Sequence, residues 1–308
     1  MNTTAIVILN YKNYKDTINC INSIFDSKNE KIQIIVVDND SKNQSLETIF
    51  EEFNSTRNVA YWNNNYAETA EIILVQVTEN NGYAAGNNVG LKIGYDLGHK
   101  YLMVLNNDTL FIDNALSKLK DVLNSNESVF CVGPLLLKGD RQSIDYNCAK
   151  RTPTPMDIFR LSYFGRMFKT QQWEKRYYYL KKYPQLDKYI EVDIISGSCM
   201  LFDAQKFNEI DFFDGNTFLY YEEAIVSAKG KAKGYHMAIE PNATVIHLGA
   251  QTTKTQKTSL FLVKCEFKSL KLYLQKYRKL NPITASLLLL NSKLFISISS
   301  MKNKLTQK

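Results

Sequence analysis

The chain has 308 residues, of which 44% are hydrophobic and 22% are charged. This composition is typical of a globular protein with a large core, and it excludes disordered, collagen-like and disulfide-scaffold classes. The formal net charge is +7, but residues 251–308 hold twelve Lys or Arg residues and one acid, Glu266, so residues 1–250 carry −4. An acidic body with a basic end indicates an anionic surface at that end rather than a nucleic-acid partner.

Cysteine usage and the N-terminal sequence favour a cytoplasmic location. The five cysteines are widely spaced and include no C-x-x-C pair, as expected in a reducing compartment. The first ten residues contain no Lys or Arg, and their apolar run, Ala5–Leu9, is too short for the core of a signal peptide.

The first half of the chain alternates short apolar runs with helical patterns. The predicted strands are rich in β-branched residues, as buried parallel strands are: Ala5–Leu9, Ile32–Val37, Ile72–Val77 and Tyr101–Leu105. The predicted helices are Asp16–Phe25 and Ala84–Leu97. This order predicts an α/β fold with a Rossmann-like, mostly parallel central sheet flanked by helices.

The second half of the chain has a less regular pattern. Residues 138–190 mix Arg, Lys, aromatics and prolines, and we expect a variable insertion over the acceptor side of the site, with a solvated helical excursion as the alternative. Glu191–Phe202 is strand-like and contains Ser196-Gly197-Ser198. A helix from about Tyr220 and two short strands, Met237–Ile239 and Thr244–Ile246, complete a domain over residues 1–250.

Polar residues follow each predicted strand of the first half. They are Asn10-Tyr11, Asp38-Asn39-Asp40, Glu79 to Gly82 and Asn106-Asn107-Asp108. An open α/β sheet binds its ligand at the carboxyl ends of its strands, so these residues are candidates for the site. The alternative is that they are only turn formers and helix caps.

Asp108 suits a hard cation that keeps several waters and takes other ligands from phosphate, which indicates Mg²⁺ or Mn²⁺ with a nucleoside diphosphate. The alternative for Asp108 is a helix N-cap. Asp38 could accept hydrogen bonds from a base imide or a ribose hydroxyl. In the segment from Asn80 to Gly90, small residues would let the backbone approach a ligand closely. The chain contains neither G-x-G-x-x-G nor the P-loop motif.

Together these motifs resemble the family 2 glycosyltransferases, within them the rhamnosyltransferase-like branch of bacterial polysaccharide synthesis. The resemblance covers roughly residues 4–250. Besides the strand ends and the Asn80 to Gly90 segment, it rests on Ser196-Gly197-Ser198-Cys199, Phe218-Leu219-Tyr220-Tyr221-Glu222-Glu223 and Val245-Ile246-His247-Leu248-Gly249. It implies a GT-A fold, a divalent cation, and inverting transfer from a nucleotide-diphosphate sugar.

The resemblance also assigns expected roles to particular residues. Asp108 would hold the metal, with His247 as a further metal or phosphate contact or, alternatively, a partly buried structural histidine. Glu223, beside Glu222, would be the catalytic base that takes the proton of the acceptor hydroxyl. The residues expected to bind the nucleotide sugar are Asn10, Tyr11, Asp38, Asn80, Gly82, Asn88, Asn106, Asn107 and Gly197.

The sequence departs from the family pattern after Glu223. Ile225 replaces an acidic residue, and Lys229 replaces an arginine, which removes a bidentate donor and leaves a point charge. Glu223 itself stands where the family usually has Asp. These changes put catalytic efficiency and acceptor geometry in doubt while the required carboxylate is kept.

Residues 251–308 are predicted to form a basic amphipathic helical tail. Lysines alternate with Leu and Phe over residues 257–280, and Pro282 separates them from the apolar segment Ile283–Ile298. That segment is too short and polar for a membrane span. We expect residues 257–298 to bind an anionic membrane surface, with packing on the body or on another subunit as the alternative.

These observations predict a cytoplasmic glycosyltransferase, peripheral on the inner face of the plasma membrane, that uses a UDP- or dTDP-sugar. Its acceptor would be a lipid-linked glycan of a cell-surface polysaccharide. The alternative is a catalytically weak or inactive nucleotide-binding scaffold, which Ile225 and Lys229 favour. A nucleotidyltransferase would need triphosphate-binding Gly/Lys/Arg loops, which are absent near the first strand.

Overall fold

The computed structural model describes residues 4–27, 32–63, 67–162, 164–183, 186–249 and 260–306. Within these ranges, ten strands form one large mixed sheet and two form a small one. The strands are β1 (Thr4–Asn10), β2 (Ile32–Asp38), β3 (Val59–Tyr61), β4 (Ile72–Gln76), β5 (Tyr101–Asn106), β6 (Thr109–Phe111), β7 (Val129–Lys138), β8 (Ala149–Lys150), β9 (Ile190–Val192), β10 (Ile194–Ile195), β11 (Cys199–Asp203) and β12 (His236–His247).

The helices cover both faces of this sheet and form the tail. They are α1 (Tyr14–Asp26), α2 (Ser45–Phe53), α3 (Gly82–Asp96), α4 (Ala115–Ser125), α5 (Pro155–Leu161), α6 (Gln171–Tyr177), α7 (Tyr179–Lys182), α8 (Ala204–Glu209), α9 (Glu222–Ala232), α10 (Leu260–Leu272) and α11 (Pro282–Thr306). A π-helical turn, Tyr273–Tyr277, joins α10 to the tail's last helix. The predicted α/β class with a largely parallel central sheet is confirmed.

The parallel half of the sheet brings the predicted strand ends to one edge. Its strand order is β3-β4-β2-β1-β5, and all four neighbouring pairs are parallel. Asn10 is in register with Asp38, and Leu9 with Asn106. The edge strand β3 was not predicted, because three residues are too few for a periodic pattern.

Two sequence predictions for the second half were wrong. Glu191–Phe202 is not one strand but three: β9 pairs with β12, β10 pairs with β8, and β11 lies between β5 and β7. The two strands predicted at 237–239 and 244–246 are instead a single long strand, β12. Its register shifts between Glu240 and Thr244, where Pro241 cannot donate a ladder hydrogen bond.

The small residues of α3 bring this helix onto the sheet. A Cβ added to Gly90 would lie 2.6 Å from Val7, and one added to Gly94 would lie 2.8 Å from Ala5. Both neighbours belong to β1. The structure therefore assigns both glycines to helix–sheet packing, whereas the sequence suggested the close approach of a ligand at Gly90.

The first tail helix packs on the body. Leu270 and Leu274 are buried with Ile194, Ala224 and Ile225 in a second apolar cluster. The alternative predicted for the tail, packing against the body, therefore holds for this helix. Residues 250–259, including Lys257, lie outside the described ranges. No helix within those ranges is long and apolar enough to cross a membrane.

Candidate active site

A cavity of about 540 Å³ opens beside the carboxyl ends of the strands. Its walls come from β5, the turn before β11, the 138–190 segment, the start of α9, and α10 of the tail. Its polar lining includes Asn106, Asn147, Lys150, Ser196, Ser198, Glu222, Glu223 and Glu266. Its aromatic lining consists of Tyr83, Tyr177, Tyr178, Tyr220 and Tyr221. Residues of the 138–190 segment thus line part of this cavity.

Asp38 is the centre of a hydrogen-bond cluster at the strand ends. It is almost fully buried, and its carboxylate accepts from Asn10 Nδ2 at 2.7 Å and from the backbone N and Oγ of Ser41 at 2.9 and 2.6 Å. Gln76 Nε2 donates a fourth hydrogen bond at 3.1 Å. A carboxylate has about four lone-pair positions, so a direct contact with a nucleoside requires one of these donors to move.

Asn80 and Gly82 form the turn that enters α3. The Asn80 side chain accepts hydrogen bonds from Asn39 Nδ2 and from the Gly82 backbone N, both at 3.0 Å. Gly82 has a φ of +91°, and a Cβ there would lie 2.2 Å from the Phe218 carbonyl oxygen. Gly82 is therefore required because the segment leading to α9 crosses it closely.

Asp108 and His247 lie together beside the cavity. Asp108 Oδ1 is 3.5 Å from His247 Nε2, and Asp145 Oδ2 is 3.6 Å from His247 Nδ1. The Ser198 hydroxyl is 3.3 Å from His247 Nε2. Burial disfavours the charged imidazolium, but the two carboxylates outweigh burial and raise the pKa of His247 to about 9.

With His247 in its neutral form, the Asp108–His247 pair fits a divalent cation, which would bind in competition with the imidazolium proton. Neighbouring ligands of an octahedral Mg²⁺ or Mn²⁺ lie roughly 3 Å apart, close to the separation of these two atoms. Within the described ranges, no group of three or more His, Cys, Asp or Glu side chains could hold a metal. Two protein ligands leave positions for water and phosphate oxygens, which suits a cation that binds with a diphosphate.

Glu222 and Glu223 begin α9 and line the same cavity. Glu223 Oε1 accepts a hydrogen bond from the Gly197 backbone N at 3.1 Å, and the Gly197 carbonyl accepts from the Tyr83 hydroxyl at 2.6 Å. Glu222 is buried, and its Oε1 has no hydrogen-bond partner. The helix N-terminus favours negative charge at both positions.

The backbone before α9 is left-handed at two consecutive tyrosines. Tyr220 has a φ of +75° and Tyr221 a φ of +68°, a conformation that costs side-chain-bearing residues about 1 kcal/mol or more each. Tyr221 packs on Tyr273 of the tail with ring centroids 5.4 Å apart. This turn sets the direction from which both carboxylates enter the cavity.

Glu222→Gln is expected to change how stability depends on pH. Burial, followed by the charge of Glu223, raises the pKa of Glu222 from 4.5 to about 8. Between these values the folded protein keeps a proton that the unfolded chain releases, so the free energy of unfolding falls as pH rises, by at most about 1.4 kcal/mol per unit. Urea denaturation near pH 5 and near pH 8 should show a smaller loss for Glu222→Gln than for the parent. The exposed control Glu127→Gln should retain the parent's slope, and equal slopes for all three proteins would contradict the assignment.

The structure gives other contacts to three residues expected to bind the nucleotide sugar. Asn88 exchanges two hydrogen bonds with the backbone of Phe213, at 2.9 and 3.1 Å, outside the cavity. The Asn107 amide donates to the carbonyl oxygen of Asn13, just before α1, and to Thr17 Oγ1, in the first turn of α1. Tyr11 is half-buried next to Lys12, whose ammonium lies 5.0 Å from the ring centroid. Both ends of the Asn88 amide are used in these hydrogen bonds, so a direct contact with the nucleotide sugar would require them to break.

Ile225 and Lys229, which depart from the family pattern, each contact another part of the protein. Ile225 is fully buried in the cluster formed with Leu270, Tyr273 and Leu274 of the tail, outside the cavity. Lys229 Nζ donates to the carbonyls of Asp211 and Phe212 at 3.0 and 2.7 Å. Neither side chain lies at the reacting centre.

Sequence reasoning missed Asp145, Tyr83 and Glu266. Asp145 lies in the 138–190 segment and caps a short 3₁₀ turn, Tyr146–Cys148. Tyr83 stood within the quoted motif, but its contact with Gly197 spans 114 positions. Glu266 carried one signal, because it is the single acid of the basic tail.

Comparison with known proteins identifies relatives. A family model described as Glycosyl transferase family 2 matches residues 5–211. The low-salt glycan biosynthesis hexosyltransferase Agl10 of Haloferax volcanii is 25% identical over 222 residues, which are 71% of this chain and 58% of that protein. The chain thus spans less than two thirds of the length of this relative.

Solved structures share the fold. The mannosyltransferase PcManGT of Pyrobaculum calidifontis, solved with GDP-Man and Mn²⁺, has a TM-score of 0.59 and 12% identity, covering 96% of this chain and 69% of that one. TarS residues 1–349 of S. aureus, solved with UDP-GlcNAc, has a TM-score of 0.56 and 12% identity, covering 94% and 70%. These similarities confirm the expected GT-A fold.

Proposed function

The chain belongs to glycosyl transferase family 2, and we propose that it moves a sugar from a nucleotide-diphosphate sugar to a hydroxyl of a glycan, with inversion. The turn at Gly197 and Ser198, before β11, supplies the main support for this proposal. Gly197 N binds Glu223, and the neighbouring Ser198 hydroxyl lies against His247, the partner of Asp108. A candidate base and a candidate cation site are therefore held one residue apart along the wall of one cavity.

The residues of the chain fit distinct parts of this reaction. Glu223 takes the proton of the acceptor hydroxyl while that oxygen bonds to the anomeric carbon and the bond to the diphosphate breaks. Attack opposite to the leaving group inverts the anomeric configuration. Asp108 and His247 would hold Mg²⁺ or Mn²⁺, which supplies positive charge to the leaving diphosphate.

We assign the nucleoside to the hydrogen-bond cluster around Asp38 at the strand ends. Asp38 would reach a base or ribose by exchanging the exposed Gln76 amide for a donor of the ligand. Asn10 would keep the carboxylate in place during this exchange. Asn106 and Gly197, which line the cavity, would contact the sugar diphosphate.

We further propose a UDP- or dTDP-sugar donor, a lipid-linked glycan acceptor and a role in cell-surface polysaccharide synthesis. The motif from Asn80 to Gly90 supports the rhamnosyltransferase-like branch. A relative named for glycan biosynthesis agrees with the acceptor class. Because solved proteins of this fold hold GDP-Man and UDP-GlcNAc, the donor experiment includes both bases.

A thermal-shift experiment tests this function. UDP, dTDP, GDP and CDP are each added with Mn²⁺, Mg²⁺ or EDTA, and a ligand at a hundred times its Kd stabilises the native state by about 2.7 kcal/mol. We expect one nucleotide to raise Tm by roughly 5 °C, with divalent ion only. Asp108→Asn should lose this shift, while Asp121→Asn, an exposed acid on α4, should keep it.

The outcomes separate the candidate functions. Absence of any metal-dependent shift would contradict the proposal. A shift without turnover on any sugar nucleotide would instead favour the inactive scaffold.

We propose that residues 251–308 form a tail that attaches the catalytic domain, residues 1–250, to an anionic membrane. The support is a stripe on α11. Ile283, Leu287, Leu290 and Leu294 recur every three or four residues, so they share one helix face, and each is about half to three-quarters exposed. Lys279 and Lys293 are exposed nearby. Such a face suits the boundary between headgroups and acyl chains.

The double variant Leu287→Ser/Leu290→Ser should weaken vesicle binding roughly tenfold, because two half-exposed leucines lose their transfer into the acyl region. The measurement is flotation with vesicles containing about 30% anionic lipid, a fraction that gives appreciable negative surface potential. Trp62→Ser, an exposed apolar residue after β3, serves as the control. Unchanged flotation of the double variant would exclude the stripe as the membrane contact.

A further inference from the structure

The first tail helix is fixed as a wall of the cavity. The Ser269 hydroxyl donates to the Leu219 carbonyl at 2.8 Å, and the Phe261 ring meets Phe218 edge-on at 5.4 Å. Leu262 and Cys265 are buried on the inner side of the same helix. These contacts hold α10 against the segment that carries Tyr220 and the two acids of α9.

Glu266 extends from this helix into the cavity. It lines the same space as Glu222 and Glu223. The side chain of Glu266 is partly exposed to solvent, and no hydrogen bond or ion pair joins its carboxylate to another described side chain. Partial desolvation raises its pKa. Its charge also raises the pKa of Tyr220 and Tyr221, after the larger effect of their own burial.

A second unpartnered acceptor lies in the same cavity. Glu222 is more than nine-tenths buried, and its Oε1 has no hydrogen-bond partner. A buried polar atom without a partner is costly, so it points to a group that arrives with the ligand. Glu222 and Glu266 therefore offer two free acceptors to one bound molecule.

The lining as a whole indicates the chemistry of that molecule. Five tyrosines present flat apolar faces, and the carboxylates present hydrogen-bond acceptors. The C–H faces of a sugar can pack on the tyrosine rings, and its hydroxyls can donate hydrogen bonds to the carboxylates. Lys150 is the single basic residue among the described lining residues, and with Glu222 protonated the charged acids are Glu223 and Glu266. An anionic acceptor sugar beside Glu266, without a cation of its own, would therefore be repelled.

We propose that Glu266 binds a hydroxyl of the acceptor sugar, and that this sugar is uncharged rather than a uronic acid or a sugar phosphate. The inference rests on the proposed function, because it takes this cavity as the acceptor side of a transferase. It gives the tail a role in substrate selection, separate from membrane attachment.

The test uses the full chain with the nucleotide and metal that stabilise it. The probes are p-nitrophenyl glycosides of glucose, galactose, mannose and rhamnose, and the glucuronide, which differs from the glucoside in its C6 carboxylate. Saturation-transfer NMR measures binding. We expect at least one uncharged glycoside to bind, with the glucuronide at least tenfold weaker than the glucoside. If turnover occurs with a glycoside, its KM and kcat are measured as well.

Two variants separate charge from hydrogen bonding. Glu266→Gln should reduce the discrimination against the glucuronide at least fivefold, because it removes the repelling charge. Glu266→Ala should weaken the best uncharged glycoside at least fivefold and raise KM more than it lowers kcat. Lys268→Gln, an exposed change on the same helix, should leave both quantities unchanged.

The proposal and the underlying function fail in different ways. If Glu266→Ala binds the uncharged glycoside as the parent does, or if the glucuronide binds as well as the glucoside, the assignment of Glu266 is overturned. Failure of every uncharged glycoside to bind, with the nucleotide-dependent Tm shift intact, also overturns it. Loss of that shift in the parent would instead contradict the transferase function itself.

Discussion

Replacing Glu223 with glutamine is expected to lower turnover by about a thousandfold while leaving metal-dependent nucleotide binding intact. General-base catalysis contributes typically 10²- to 10⁴-fold, and an amide cannot accept the proton of the acceptor hydroxyl. Glutamine keeps an oxygen for the hydrogen bond from Gly197 N, so the turn should hold its shape. The measurements are initial rates of sugar transfer and the Tm shift with nucleotide and Mn²⁺.

The adjacent acid provides the control for this experiment. Glu222→Gln should keep most of the activity, because Glu222 is buried and the raised pKa of its carboxyl favours the protonated form. A protonated carboxyl is not a base. Near-normal turnover in Glu223→Gln with loss in Glu222→Gln would reverse the assignment between the two residues.

Restoring the family's acidic residue at position 225 is expected to destabilise the protein by about 4 kcal/mol. Ile225 is fully buried, and its neighbours in the cluster include Leu270, Tyr273 and Leu274 of the tail. An aspartate there would be a buried charge without a partner. Denaturant unfolding of Ile225→Asp measures the loss, and Ile225→Val, which removes one methylene, should cost only about 1 kcal/mol.

The same variant tests the attachment of the tail. If the cluster holds α10 against α9, Ile225→Asp should also raise hydrogen exchange in Leu260–Leu272 more than in the sheet. Equal stability of the Asp and Val variants would show that the tail does not depend on this contact.

The strand ends could be predicted from the sequence because they obey local rules. Short β-branched runs alternating with helical patterns indicate parallel strands, and parallel strands bring their carboxyl ends to one edge. Asn10, Asp38 and Asn106 therefore followed from pattern alone, and their register agrees. Glu223 and the Asp108–His247 pair followed from the motifs of the family.

The other features of the fold and of the candidate site could not be predicted, because they depend on contacts between distant parts of the chain. The cavity wall formed by Glu266 exists because α10 packs on the segment before α9 and the π-helical turn after α10 packs on α9 itself. A basic helix alone does not indicate which of its faces is covered. The orientation of Asn88 is fixed by the backbone of Phe213, 125 positions away. Periodicity also could not separate β9, β10 and β11, because the stretch is apolar throughout while its three parts join different partners.

The two left-handed tyrosines before α9 limit how this protein can be made more heat-resistant. A selection that scores only survival on heating would favour glycine at position 220, where the ring is partly exposed, since glycine adopts a positive φ without penalty. The same change would free the helix entry that aims Glu222 and Glu223, and it would remove a ring from the cavity wall. Heat tolerance and transfer rate should therefore trade against each other at this turn, so directed evolution of the protein needs an activity screen in every round.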